Sequence, residues 1–482
     1  MSGFKNASRF LKVGWILARF DALYFLKGKR TRLTALHICI RVLLALVPVR
    51  RDLKSLAPGE RLAKALQHLG PAYIKLGQTF ATRADLIGEE AAGHLRLLQD
   101  RLPSVPTEEI IAAIEDDQGQ KIDQLFSHFD PVPAAAASIA QVHFAVTPDG
   151  REVAVKVLRP GIEEAMRRDI ESFFWLAGVF ERYMRRARRL RPVEIVRTLS
   201  ETVKAELDLR MEASAASELK DNMAGEKGYR VPTMDWSRTS RRVLTMDRVY
   251  GTPIYQIKDK KLAREISRTV LRVFLTQALR DGFFHADLHQ GNFFVEADGT
   301  LVPVDFGIMG RLDKKSRRYL AEILWGFHTR NYSHVADIHF EAGYVGADQS
   351  RAAFAQAMRA LVEPIMDQPL NQVSFGNLLM QLFQTTEKFS MQTQPQLLTL
   401  QRSMMMVEGL ALSLDQDINV WEVSRPVVAH WVKRQAGGSG TFSDLFELIK
   451  AFLALVPGFL EIIKDFLEGL VKRPAPPGKP AA

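Results

Sequence analysis

An α+β fold is predicted by three features of the sequence. Two short hairpins interrupt otherwise helical sequence: residues 141–146 and 152–158 alternate apolar and polar side chains around Pro148-Asp149-Gly150, and residues 293–296 and 301–305 flank Asp298-Gly299. Around them, apolar residues recur at helical spacing. At 482 residues the chain exceeds one compact core, so two or three structural units are expected.

The chain is 47% hydrophobic and 25% charged, the balance of a folded protein. The lone Cys39 excludes an internal disulfide framework and fits a reducing compartment. Lysine and arginine exceed aspartate and glutamate by 65 − 55 = 10, unevenly. Residues 1–54 hold twelve basic side chains against Asp21 and Asp52, and residues 182–191 hold six arginines. Such patches suit an anionic surface, either acidic lipid or nucleic acid, and a solvated helix face is the plainer alternative. No helix-turn-helix, zinc-finger or RNA-binding signature accompanies them, so no nucleic-acid partner is expected. No secretory signal stands out, and the apolar stretch 35–48 contains Arg41 and is too short to span a bilayer.

In chain order, residues 5–48 set basic positions among Phe10, Leu11, Val13, Trp15, Ile16, Phe20, Leu23 and Leu26 at helical spacing. That pattern predicts a pair of basic amphipathic helices, able to lie on a membrane or to pack on the body. Residues 58–130 read as further helices, with breaks at Pro71, Pro103 and Pro106. After the first hairpin a long helical stretch runs over about 161–222, and residues 243–249 read as a strand linked onward by Gly251-Thr252-Pro253. Residues 261–435 are mainly helical apart from the second hairpin, which should bring Asn292 and Asp305 together at one sheet edge. The run Met404-Met405-Met406 reads as helix core or interface, and Gly437-Gly438-Ser439-Gly440 as a flexible linker. Residues 443–471 are apolar but broken by Asp444, Glu447, Lys450, Glu461, Lys464, Asp465 and Glu468. With a longest uncharged run of ten residues, they suit an interfacial or partner-docking helical hairpin better than a membrane-spanning pair. From Lys472 the chain is proline-rich.

The chemistry is concentrated in His285-Ala286-Asp287-Leu288-His289-Gln290-Gly291-Asn292, followed eighteen residues after Asp287 by Asp305-Phe306-Gly307. An acid, an amide five residues on, and a second acid in a D-F-G turn form the phosphoryl-transfer constellation of protein kinases. The first acid orients or deprotonates a hydroxyl; the amide and second acid hold Mg²⁺, which demands hard oxygen ligands. Upstream, Val153-Ala154-Val155-Lys156 places a lysine on a strand, where that template neutralises phosphates. No glycine-rich phosphate loop precedes it. Pro133-Ala134-Ala135-Ala136-Ala137-Ser138-Ile139-Ala140 stands there instead, and alanine resists the positive φ a glycine loop uses, so nucleotide must be held differently. A helix N-terminus with Ser138 as a polar interruption is the alternative for this loop. Lys75-Leu76-Gly77-Gln78, with Arg83 and Asp85 after it, and Glu206-Leu207-Asp208 have no counterpart in an ordinary kinase. On a helix Glu206 and Asp208 would point apart while Asp208 and Glu212 align, and by spacing alone such acids are mostly solvated. His143 reads as a satisfied strand histidine, His285 as a brace for the catalytic loop, and His289 has no assigned role.

Together these residues resemble the UbiB family of atypical kinase-like proteins of ubiquinone biosynthesis. The resemblance rests on Lys75-x-Gly77-Gln78, the alanine-rich loop running into Ser138-Ile139-Ala140-Gln141-Val142-His143, Val-Ala-Val-Lys156, Glu206-x-Asp208, His-Ala-Asp287 and Asp305-Phe-Gly, in family order over residues 58–312. Departures are Gln290 for the usual proline, Ala81 for a serine, Gly88 for a proline, and the charge-interrupted tail. The resemblance implies an atypical protein-kinase-like two-lobe fold with a helical N-terminal extension and an apolar helical C-terminal tail. Its expected divisions are basic helices 1–57, helical extension 58–130, N-lobe with a helical insert 131–250, C-lobe 251–435, and linker with tail 436–482.

By the same resemblance, Lys156 would pair with Glu212 and contact ATP phosphates beneath the loop of Ala134, Ala135, Ala136, Ala137 and Ser138. Asn292 and Asp305 would bind Mg²⁺ and Asp287 would be the catalytic acid. Lys75, Gln78, Glu206 and Asp208 would restrict access by a protein substrate. The implied activity is an ATP-binding kinase or ATPase supporting ubiquinone biosynthesis at the cytoplasmic face of a bacterial inner membrane, peripheral or weakly inserted. Its expected partners are membrane lipid, prenylated quinone intermediates and ubiquinone-biosynthesis enzymes, with a homodimer also open. Alternatives are a nucleotide-sensing pseudokinase scaffold and a small-molecule kinase acting on a prenylphenol.

Overall fold

A computed structural model of the chain describes residues 2–22, 53, 56–81, 93–95, 103–183, 191–363, 389 and 395–437. The expectations for Leu23, Leu26, residues 35–48, Arg83, Asp85, Gly88, most of the 182–191 arginine run, the linker and the apolar tail lie outside these residues. The chain divides into two compact units, Met1–Thr252 with Asn292–Gly307, and Pro253–Gly291 with Ile308–Ala482.

The first unit is built on an antiparallel sheet. Its strands are β1 (His128–Phe129), β2 (Ala135–Ala136), β3 (Ala140–Val146), β4 (Glu152–Leu158) and β5 (Val243–Asp247), in the order β1-β3-β4-β5 with β2 also on β3. The predicted first hairpin is β3 and β4, in register Val142↔Lys156 and Ala145↔Val153. Strand alternation gives its two faces different partners. Val153, Val155 and Val157 point to one face with Val243, where Ile110 and Ile114 of a helix from Thr107–Gln118 cover them. Each such side chain contributes about 1.5–3 kcal/mol on burial. Lys156 therefore points to the other face.

Among the described residues the longer helices of this unit are α1 (Ser2–Arg19), α2 (Pro58–Leu69), α3 (Pro71–Ala81), α4 (Thr107–Gln118), α5 (Ile162–Tyr183), α6 (Pro192–Glu206) and α7 (Leu209–Asn222). The basic α1 packs on the body. Ile16 and Phe20 are buried with Leu53 and Ala65, while Arg9 pairs with Asp169 of α5 at 2.8 Å. Pro71 opens α3 and Pro106 caps α4, the positions where a missing N–H costs least. Of the stretch predicted as one helix over 161–222, the described residues form α5, α6 and α7. The break between α6 and α7 falls at Leu207 and Asp208, where the Asp208 carboxylate accepts from Arg210 N as the α7 N-cap. The second predicted hairpin, Phe293–Val295 with Leu301–Pro303, joins this unit although the sequence around it belongs to the other. Leu301 exchanges backbone hydrogen bonds with Gly228 and Arg230, and the Arg230 guanidinium clasps both Glu296 oxygens.

The second unit is helical. Its α-helices among the described residues are α8 (Lys260–Thr276), α9 (Lys314–His328), α10 (Tyr332–Glu341), α11 (Arg351–Val362), α12 (Pro395–Leu414) and α13 (Val420–Gly437). Asp259 caps α8 by accepting from Lys261 N and Leu262 N. The apolar stripe Ile266, Val270, Leu271 and Phe274 of α8 is buried where the helix packs with α12 and α13. Met404 is in that core and Met405 is half-exposed. A π-helical turn, Gln277–Asp281, ends α8 at Gly282, whose φ of 68° and closeness to the Leu312 carbonyl admit only glycine. Beyond it Phe283–His285 pairs antiparallel with Met309–Arg311. Among the described residues no helix is long and apolar enough to cross a membrane.

Candidate functional site

In the first unit, β4 delivers Lys156 and the first turn of α7 delivers Glu212. The Lys156 ammonium donates to both Glu212 oxygens, at 2.7 and 2.9 Å, and lies 3.5 Å from Asp305 Oδ2. Burial works against the ammonium, but the Asp305 and Glu212 charges more than offset it and hold its pKa above the ordinary lysine value. Burial also raises the Glu212 carboxyl, against the Lys156 charge.

The D-F-G turn closes on the same carboxylate. Phe306 is buried and its N–H donates to Glu212 Oε1 at 3.4 Å, while Gly307 N–H donates to Asp305 Oδ1 at 3.0 Å. Asp305 stays half-exposed beside the buried lysine. Asn292 and Asp305 leave the two ends of one hairpin, joined by Val304 N–H donating to the Asn292 carbonyl at 3.0 Å. Among the described residues no three His, Cys, Asp or Glu side chains gather as a metal cage. One carboxylate and one amide instead are the hard, sparse donor set of an ion that keeps much of its water. That chemistry suits magnesium.

The alanine-rich segment is not a helix N-terminus. Ala135 and Ala136 form β2 against Val142 and Gln141, Ala134 N–H donates to the Val142 carbonyl, and Ala137 N–H closes a turn onto the Ala140 carbonyl at 2.9 Å. In that turn Ser138 is 1% exposed, and its hydroxyl has no hydrogen-bond partner among the described residues. A buried hydroxyl left so costs about 1–3 kcal/mol, a debt that an oxygen-rich ligand can relieve. The His143 ring is satisfied by the Asp130 carbonyl and the Gln141 amide and stacks on Phe129.

Lys75 of α3 meets Glu206, the last residue of α6, at 2.8 Å with both side chains nearly buried. Gln78 lies one helical turn on from Lys75. Asp208 does not join them: its carboxylate is held by the Arg210 guanidinium, at 2.9 and 2.7 Å. Asp208 caps α7 and Glu212 lies in its first turn, and the two acids take different partners, Arg210 and Lys156.

Asp287 belongs to the second unit, just past Phe283–His285. His285 Nδ1 accepts the Asp287 N–H at 3.2 Å, and the His285 N–H donates to Gln277 Oε1 at 3.1 Å. His289, to which the sequence assigns no role, turns back on the same loop. Its Nδ1 accepts from Gly291 N–H at 3.0 Å, and its Nε2 faces Asp287 Oδ2 at 3.9 Å. The turn is tight: a Cβ on Gly291 would stand 3.0 Å from the His289 ring. Its signal in the sequence is a histidine two residues after a candidate acid and two before a glycine.

The ABC1 atypical kinase-like domain matches residues 97–339 and the UbiB helical domain residues 358–419. The chain is 37% identical to a probable protein kinase UbiB of Marinobacter nauticus, over 95% of this chain and 85% of that protein. It is 38% identical to the like-named protein of Pseudomonas fluorescens, over 88% and 81%. A solved structure of a Mycobacterium tuberculosis protein in complex with erythromycin shares the fold, with a TM-score of 0.54 at 23% identity over 76% of this chain and 94% of that one. A kinase-like domain implies ATP binding, and these matches between them cover nearly all the described sequence. The chain is a member of the UbiB family of atypical kinase-like proteins.

Proposed function

We propose that this chain binds MgATP at the Lys156, Glu212, Asn292 and Asp305 cluster and hydrolyses ATP, or passes its γ-phosphate to an acceptor, in support of ubiquinone biosynthesis at a membrane. The observation that carries this reading is Lys156, buried, raised in pKa and shared between Glu212 and Asp305. A permanently charged lysine fixed by a buried acid is aimed without needing reorganisation, and it neutralises phosphate charge. Asp305 and Asn292 would hold magnesium, which when bound would neutralise charge on the phosphates. The Ser138 hydroxyl would donate to a phosphate oxygen. Asp287 would orient and deprotonate the attacking water or hydroxyl, with its loop braced by His285 and His289.

Lys75 and Glu206 support a second element of the proposal. Their buried pair ties α3 to the end of the helix just before α7, which carries Glu212. We assign Lys75, Gln78, Glu206 and Asp208 to limiting acceptor access, which favours turnover of ATP over phosphorylation of proteins. The test pairs ATPase assays with rescue of a ubiquinone-deficient bacterial strain. Asp287→Asn should lose ATP turnover and fail to rescue. Full rescue by a variant with no turnover would instead establish a scaffold.

A further inference from the structure

The alanine-rich segment is fixed by a residue outside it. Arg159 follows β4 directly, and its backbone N–H donates to the Ile139 carbonyl at 2.9 Å. Its guanidinium then spans two separate pieces of chain. Nε donates to the Ala137 carbonyl at 3.0 Å, and Nη1 to the Pro103 carbonyl at 2.8 Å. Ala137 and Ile139 bracket Ser138, so one residue grips the turn on both sides of the buried, unpartnered hydroxyl. The other end of the clamp is the segment leading into α4. Gln141 holds that segment too: its Oε1 accepts from Val105 N–H at 2.8 Å and its Nε2 donates to the Val105 carbonyl.

These bonds solve a problem posed by the sequence. A glycine-rich loop folds over phosphate because its backbone is free to do so. An alanine-rich one lacks that freedom, and its β2 portion is only Ala135–Ala136. Something must hold the remaining turn in one conformation, and a planar fork of fixed N–H donors suits two carbonyls better than a lysine's single point of charge.

We infer that Arg159 is a positioning residue for the nucleotide loop, holding the Ala137–Ala140 turn against residue 103 so that the Ser138 hydroxyl is preorganised for an anionic oxygen of the ligand. This rests on the proposed ATP-binding role. It predicts that affinity for MgATP depends on a side chain that need not touch the nucleotide. Arg159 also lines a cavity of about 360 Å³ with Glu109, Ala112, Ala113, Leu158 and Pro160.

The test measures MgATP affinity and the melting of the nucleotide-free full chain for wild type, Arg159→Ala, Arg159→Lys and Lys156→Met. Losing the guanidinium's two charged hydrogen bonds, one to the loop at Ala137 and one to Pro103, should weaken MgATP binding about tenfold in Arg159→Ala. Lysine, with one carbonyl in reach, should recover part of the loss, and millimolar ethylguanidinium should restore affinity to the alanine variant. Unchanged affinity in Arg159→Ala, beside a clear loss in Lys156→Met, overturns the inference and leaves the ATP site intact. A lowered melting temperature with unchanged affinity of the folded fraction also overturns it, making Arg159 a fold anchor alone. Wild type that binds no MgATP refutes the proposed function itself. If the alanine variant does not fold, Arg159→Lys decides: affinity equal to wild type counts against the inference, and a partial loss supports it.

Discussion

Replacing Glu212 by glutamine should strand the Lys156 ammonium inside the first unit. In the wild type that ammonium touches both Glu212 oxygens, and the two side chains are 14% and 8% exposed. Removing one partner of a buried pair costs about 3–5 kcal/mol. Two features moderate the cost here. Glutamine keeps one oxygen acceptor, and Asp305 remains 3.5 Å away as a half-exposed, more screened partner. We therefore expect about 2 kcal/mol, which lowers Tm by about 4–8 °C for a unit of this size. Calorimetry on the full chain measures the shift, and nucleotide titration should show weaker MgATP binding because the lysine is no longer aimed. The double variant Lys156→Met with Glu212→Leu separates stability from function. Apolar replacement of a whole buried pair is often neutral, so its Tm should return to within about 4 °C of wild type. MgATP binding should not return. A Glu212→Gln variant with wild-type melting and wild-type affinity would refute the reasoning, as would nucleotide binding by the double variant.

Three further outcomes are expected. Burial holds the His339 ring, whose Nδ1 lies 2.7 Å from the Val335 carbonyl, down to about 4 from its ordinary 6.5. The unfolded chain protonates this group first, so stability is lost as pH falls from 6.5 toward 4, on the order of 3 kcal/mol in all. Urea denaturation across that range should show the slope, and His339→Phe should flatten it; an unchanged slope rules this histidine out. Gly310→Ala drives a methyl group into the buried Phe284 ring, itself edge-on to Phe274, and should cost about 1–3 kcal/mol in a thermal melt. Lys75→Ala and Glu206→Ala should each destabilise the first unit, while the pair in a double-mutant cycle shows a coupling of about 1 kcal/mol or more. Additive effects would mean that their contact contributes nothing.

Both hairpins were legible because two alternating runs around a Gly turn admit few other folds, and the D-F-G turn named its own chemistry. The interruption at Leu207 and Asp208 was not, since no proline or glycine marks it and Asp208 reads equally well as helical surface. Its consequence is chemical: the break separates Glu206, which meets Lys75, from Glu212, which meets Lys156. The β2 strand was hidden for a different reason. Alanine has little intrinsic preference for strands, and Ala135–Ala136 is extended because β3 offers it a pairing edge. Placement of Asn292–Gly307 in the first unit draws on Arg230 and Gly228, about seventy residues away, a tertiary fact with no local trace. The Arg159 clamp is equally non-local, reaching Pro103 over 56 residues.

Magnesium-dependent nucleotide binding by Asp305→Asn tests the central claim most directly. The substitution keeps size and an oxygen donor but removes the charge next to Lys156. Titration of ATP with and without Mg²⁺ should show a metal-dependent affinity in wild type that Asp305→Asn loses, with melting of the nucleotide-free protein little changed. The same Mg²⁺-dependent affinity in both proteins would contradict the assignment of this cluster as the MgATP site.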